Sequence, residues 1–219
     1  RVSLAGLLEQ TLSGYRDAAV DGAVSPADAK ASLLEFYRGR LQHLGEAACL
    51  RQDSVRAALA ASMDDPYDAR LRMSALDALR AEPGFEALAL AHKRIKNILK
   101  DWKAAPYDPA LLTDDAERVL DRALKRAVPL IEGAQGRLDH LAALREIARL
   151  SPALDRFFEE VLVMAEDARL RDNRLGLLQA IAGLFLRVGD FSEIAVEGDP
   201  AARAARPKAA AQRPGEAGR

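Results

Sequence analysis

A single cysteine, Cys49, excludes an internal disulfide and fits a reducing, cytoplasmic setting. Its neighbours Ala47, Ala48 and Leu50 predict a buried, inert thiol. No apolar run reaches the length of a membrane span and no secretory signal is present, so no membrane partner is expected. Aromatic residues are only 5% of the chain, while alanine, leucine and arginine abound, a mixture that favours helix over sheet. A net charge of −1 excludes a globally basic protein, so any surface for a polyanion has to be a local patch. The histidines His43, His92 and His140 lie far apart without Cys or His partners at ligand spacing, which argues against a zinc site. No glycine-rich loop follows a strand to cradle a nucleotide, and no Ser, Thr or Cys stands in a nucleophile's setting. The adjacent acids Asp64-Asp65 and Glu159-Glu160 read as solvated or first-turn charges. The chain is therefore expected to be non-catalytic and to hold no cofactor or metal of its own.

What is present centres on Ala87 to Lys103. Wound at 3.6 residues per turn, Leu88, Ala91, Ile95, Ile98, Leu99 and Trp102 share one face. Lys93, Lys96, Asn97, Lys100 and Lys103 share the opposite face, with Arg94 at its flank and only Asp101 opposing the charge. A solvated helix usually mixes signs to gain i,i+4 pairs. Four lysines without interleaved glutamates point instead to an anionic partner, with nucleic acid the leading candidate.

Around that stretch the chain reads as helices joined by short loops, an all-α helical bundle with no internal repeat. Val2 to about Val20 has helical spacing through Tyr15, and Gly22 breaks it. Ser25-Pro26-Ala27-Asp28 is a strong helix start, and the helix after it directs Leu33, Leu34, Phe36, Tyr37, Leu41 and Leu44 toward a core. Asp53 or Ser54 is a candidate cap for a short helix, and a further helix spans about Tyr67 to Arg80. Pro83-Gly84 precedes the basic helix, which is expected to end near Lys103, and Pro106 to Pro109 form a loop. Asp114 with Glu117 resembles a capping box; Pro129 is a candidate kink, and Gly133 and Gly136 a turn. Ser151-Pro152 reads as an N-cap followed by proline. Val161 to Met164 has no second strand to pair with and is kept as helix end and loop. The last long helix spans Ala168 to about Asp190. Residues 1–196 are taken as one helical domain. Residues 197–219, without large apolar side chains, are taken as a disordered tail. Arg1 in place of methionine, with helical text from Val2, suggests a piece of a longer chain.

Several stretches taken in order resemble a known family. They are Arg51-Gln52-Asp53, then Ala91-His92-Lys93-Arg94-Ile95-Lys96-Asn97-Ile98-Leu99, then Tyr107-Asp108-Pro109-Ala110. Phe157-Phe158 through Val161-Leu162-Val163-Met164-Ala165-Glu166-Asp167 follows, then Leu170-Arg171-Asp172-Asn173-Arg174-Leu175 and Leu184-Phe185-Leu186-Arg187-Val188-Gly189-Asp190-Phe191-Ser192. Together they look like the C-terminal part of bacterial glycyl-tRNA synthetase beta subunits, over roughly Val2 to Ile194. The Phe-Phe to Asn-Arg-Leu portion is shared with the helical anticodon-binding domain of arginyl-tRNA synthetases. The resemblance implies a bundle of the class I synthetase anticodon-binding type, serving an enzyme of two alpha and two beta chains. It implies ATP and Mg for the whole enzyme, the alpha subunit and tRNA-Gly as partners, and no bond-making by this segment. Two positions depart from the family's habit: Gln52 stands where histidine is frequent, and Gly189 where alanine is usual.

The residues expected at the tRNA are Lys93, Arg94, Lys96, Asn97, Lys100 and Arg187, with Lys103, Arg51 and Gln52 as weaker candidates. Lysines supply phosphate charge, and Asn97 has the amide to pair with the edge of an unstacked base. Arg171 and Arg174 fall on the apolar side of the last helix, which predicts pairing with a carboxylate, Glu166 or Asp167. Trp102 is read as core. The competing readings are an arginyl-tRNA synthetase domain and a helical scaffold that docks protein. A docking helix exposes apolar anchors where this one carries lysine.

Overall fold

A computed structural model describes residues 2–14 and 25–196. Tyr15, the break at Gly22 and the tail 197–219 lie outside the described residues. Ser3 caps α1 (Leu4–Ser13), accepting from the Gly6 amide at 2.9 Å. Ser25 caps α2 (Pro26–Ala47) as its Ser-Pro start predicts, accepting from Asp28 N. Then come α3 (Gln52–Ala61), α4 (Pro66–Leu79), capped by Asp65, and α5 (Phe85–Ile98). A 3₁₀ turn at Pro109–Leu111 leads to α6 (Asp115–Gly136). The capping box forms: Glu117 Oε2 accepts from Asp114 N at 2.9 Å. Next are α7 (His140–Ala148), α8 (Ser151–Glu160), α9 (Ala168–Leu186) and a 3₁₀ turn at Phe191–Glu193.

One core joins α3 to α9, the last 3₁₀ turn and Leu41 of α2. Leu59, Leu76, Leu88, Ile95, Leu120, Ile131, Phe157, Phe185 and Phe191 are almost wholly buried within it. Each such side chain contributes about 1.5–3 kcal/mol over an exposed one. α6 packs on α7 and α8, α4 on α3 and α7, and α5 on α9. The 161–167 segment is loop, as expected, with Val161 and Val163 buried and Leu162 and Met164 out.

Several expectations fail for physical reasons. Of the apolar positions of α2 only Leu41 is fully buried; Leu33, Phe36 and Leu44 face solvent because α2 touches the bundle along a narrow strip. Cys49 is exposed, at φ 56° in the left-handed turn that follows α2. α6 runs through Pro129 and Gly133 and ends at Gly136, since buried Ile131 and Ala134 hold its last turns. Neither Asp53 nor Ser54 caps α3. The Asp53 carboxylate pairs with Arg80 and accepts from Ala195 N at 2.9 Å, and Ser54 Oγ accepts from Arg80 Nε at 3.0 Å. Leu150, rather than Ser151, precedes α8 as its cap. α9 stops at Leu186, where Val188 turns inward. Gly189 is buried, and an added Cβ would stand 2.7 Å from Leu76 Cδ1, so alanine there requires that side chain to shift.

Candidate nucleic-acid interface

α5 is amphipathic as read, with Phe85, Leu88, Ala91 and Ile95 buried, but it closes at Ile98 instead of Lys103. Leu99 N bonds Ile95 O at 3.0 Å and Trp102 N bonds Leu99 O at 3.1 Å, so the chain turns. Trp102 then folds onto the core, as expected for it. The loop beyond is seated on α9. Asn173 Oδ1 accepts from Asp108 N at 2.6 Å, and Asn173 Nδ2 donates to Asp108 O at 3.1 Å. At Gly176 a Cβ would meet Ala105 O and Tyr107 N at 2.9 Å each, so only glycine admits this close approach. Periodicity carried the helix too far because these anchors lie 65 or more residues away in sequence.

The six expected contact residues therefore do not form one stripe. Lys96 Nζ bonds Asp190 Oδ2 at 2.8 Å and Ser192 Oγ at 2.7 Å, so its charge is neutralised from the far end of the chain. Burial alone would raise the Asp190 pKa, but the Lys96 ammonium and Ser192 outweigh it and hold it below the usual range. Lys93 is half-buried and engaged. Arg94 is exposed, its guanidinium 4.0 Å from the Phe158 ring centroid. Asn97 on α5 and Lys100 and Lys103 in the turn and loop beyond it are exposed, with no partner among the described residues. Arg187, the cap residue of α9, pairs with Glu132 at 3.1 Å across two exposed side chains. Arg51 and Gln52 are exposed, and Arg51 N donates to Asp77 Oδ1 at 3.1 Å.

Arg174 is buried and paired, as its face predicts, but its partners come from the start of α6. Nε bonds Glu117 Oε1 at 2.5 Å, Nη2 bonds Asp114 Oδ2 at 2.6 Å, and Nη1 donates to Leu162 O at 2.8 Å. Asp167 instead caps α9, and Arg171 donates to Ala165 O at 3.2 Å. Reading α5 alone also missed a cationic face on α6, formed by Arg118, Arg122, Lys125 and Arg126. The i, i+4, i+7, i+8 spacing was the available signal.

His92 sits behind the basic face, 2% exposed, with its ring 4.7 Å from that of Phe185 and 5.9 Å from that of Phe191. Its Nδ1 has no hydrogen-bond partner among the described residues. Burial depresses its pKa to about 4; Asp190 opposes the shift, and Lys96 and Lys93 add to it. Below about pH 6.5 the unfolded chain takes up a proton that the folded chain refuses until about pH 4. Stability contributed above pH 6.5 is thus lost across that window, by up to about 3 kcal/mol, and no further below it. Urea midpoints at pH 7, 5.5 and 4 will show a steeper fall for the native sequence than for His92→Leu. Equal slopes would place the proton elsewhere.

Among the described residues no group of His, Cys, Asp and Glu could hold a metal ion, and no helix is long and apolar enough to cross a membrane. Residues 88–188 match the family model of the DALR anticodon binding domain. A glycine–tRNA ligase beta subunit of Anaeromyxobacter dehalogenans (strain 2CP-C) is 43% identical over 93% of this chain, which covers 29% of it. The Geobacter metallireducens beta subunit is 44% identical over 77% of this chain, and the Myxococcus xanthus one 43% over 75%; in each case 24% of the relative is covered. The chain thus spans between a quarter and a third of the length of the first of these relatives.

Proposed function

We propose that this chain belongs to the glycine–tRNA ligase beta subunit family and that its DALR anticodon binding domain, matched over residues 88–188, grips the anticodon end of tRNA-Gly. The observation that carries the reading is the 43% identity along 93% of the chain. The surface left free beside α5 supports it. Arg94 sits over the Phe158 ring, Asn97 offers an amide to an unstacked base, and Lys100 supplies phosphate charge. Lys103 stands further along the same loop, and Lys93, Lys96 and Arg187 are secondary contacts that would have to loosen existing interactions to reach RNA. In this reading the helical domain 1–196 makes and breaks no bond. It serves an ATP- and Mg-dependent ligase in the cytoplasm, assembled with alpha subunits as two alpha and two beta chains. Relatives named as beta subunits favour this over an arginyl enzyme's domain.

Fluorescence anisotropy with labelled tRNA-Gly and an anticodon-swapped tRNA tests it. Binding by the 219-residue chain is expected to weaken at least tenfold on the swap, and Arg94→Ala/Asn97→Ala/Lys100→Ala to erase most of that preference. Lys96→Ala is expected to cost less, since its ammonium is already held by Asp190. Salt-dependent binding that ignores the anticodon would reduce the domain to an electrostatic platform.

A further inference from the structure

α6 presents a second cationic face, separate from the residues assigned above. Arg118, Arg122, Lys125 and Arg126 are exposed and lie within one stripe. The acids of that helix are engaged elsewhere. Asp114 and Glu117 hold Arg174, Asp115 pairs with Arg156 at 3.1 Å, and Glu132 pairs with Arg187. Asp121 is buried and shared, accepting from the Tyr107 hydroxyl at 2.7 Å and from Lys125 Nζ at 2.9 Å. Arg118, Arg122 and Arg126 have no partner among the described residues. Four cations thus rise along about 12 Å of helix with at most one neutralised. Further along the stripe stand Pro129, Gly133 and Gly136, all exposed and without long side chains of their own, and the Arg137 guanidinium lies beside Gly133. The Tyr107 bond also pins to this flank the loop on which Lys103 precedes Tyr107 by four residues.

We propose that this face of α6 is a second contact for the tRNA, holding its sugar–phosphate backbone without reading sequence. Guanidinium groups bind phosphate bidentately. The stripe carries no amide and no aromatic side chain between Asp115 and Arg126, so it offers neither an amide to pair with a base edge nor a ring platform for a base. The inference rests on the reading that the chain binds tRNA, and its test separates the two. Arg118→Gln/Arg122→Gln/Arg126→Gln in the 219-residue chain is compared with the native chain on tRNA-Gly and on the anticodon-swapped tRNA, across a salt series. The expected result is at least tenfold weaker binding to both tRNAs at low salt, with an unchanged preference between them. The slope of log affinity against log salt should become shallower by about 2–3, near one for each phosphate that the variant no longer neutralises. The lysine triple at the same positions should keep most of the slope, which separates lost charge from any change in folding. Unchanged affinity and slope in the glutamine triple, with the native chain still selecting the cognate anticodon, would overturn the α6 contact and leave the proposed function standing. Collapse of the preference would overturn it too, by making α6 a reader of sequence. A native chain that binds neither tRNA would overturn both.

Discussion

Replacing Arg174 by methionine is expected to lower the unfolding free energy by about 3–5 kcal/mol, the cost of leaving a buried carboxylate without its cation. Glu117 is 0% exposed. Its Oε2 is served by the amides of Asp114 at 2.9 Å and Thr113 at 2.6 Å, and its Oε1 faces Arg174 Nε at 2.5 Å. The methionine side chain offers no donor to that oxygen. Leu162 O, which accepts from Arg174 Nη1, loses a partner as well. For a chain of this size the fall in Tm is of the order of 10 °C. Glu117→Gln in the Arg174→Met background should recover a good part of the loss, because a neutral amide costs less to bury than a carboxylate. A single Arg174→Met loss under about 1 kcal/mol, the range of exposed pairs, would mean that solvent reaches Glu117. The same cluster fixes the start of α6, where the capping box and the ion pair share one carboxylate. Melting of α6 should therefore begin at its N-terminus in the variant.

Arg72 is the second large effect. It is 2% exposed, yet it bonds four acceptors on three segments. Nε pairs with Asp68 at 2.8 Å; Nη1 donates to Ala58 O at 2.6 Å and Val188 O at 3.3 Å; Nη2 donates to Ser62 O at 2.5 Å. The side chain thus caps the carbonyl end of α3, holds α4 and ties down the chain after α9. Arg72→Met should cost about 3 kcal/mol, at the low end of the buried-pair range, because Asp68 keeps its 2.9 Å contact with His140 Nε2. Arg72→Lys should recover less than half, since one ammonium cannot reach acceptors spread around a planar fork. Amide exchange should quicken first in 57–62 and 188–190. Uniform acceleration across the whole bundle would indicate that Arg72 contributes only to global stability.

The two buried arginines differ in how far they could be read beforehand. Arg174 was legible as a paired residue because it follows the apolar face of a long periodic helix. Its partners were not, since Asp114 and Glu117 lie 60 and 57 residues away. Arg72 gave no signal at all, being one arginine on a short helix with the others. In the candidate interface, Arg94 and Asn97 are exposed as the periodicity of α5 predicts, while Lys96, on the same reading equally free, is held by Asp190. Leu33, Phe36 and Leu44 have core spacing but face outward, because periodicity reports that a face is apolar and not that something covers it.

By itself, then, the sequence determined the all-helical class, the helix starts at Ser25-Pro26 and at Asp114 with Glu117, and the family resemblance carried by the stretches from Arg51 to Ser192. These are properties of neighbours within a turn or two, where capping geometry and the 3.6-residue repeat act directly on the chain. The tertiary structure alone decided where α5 stops, which lysines remain free, and that α6 shows an unneutralised cationic face. Each depends on a partner brought close from tens of residues away. Whether a charge is spare is a property of the folded surface, because ion pairing depends on distance in space and not on spacing along the chain.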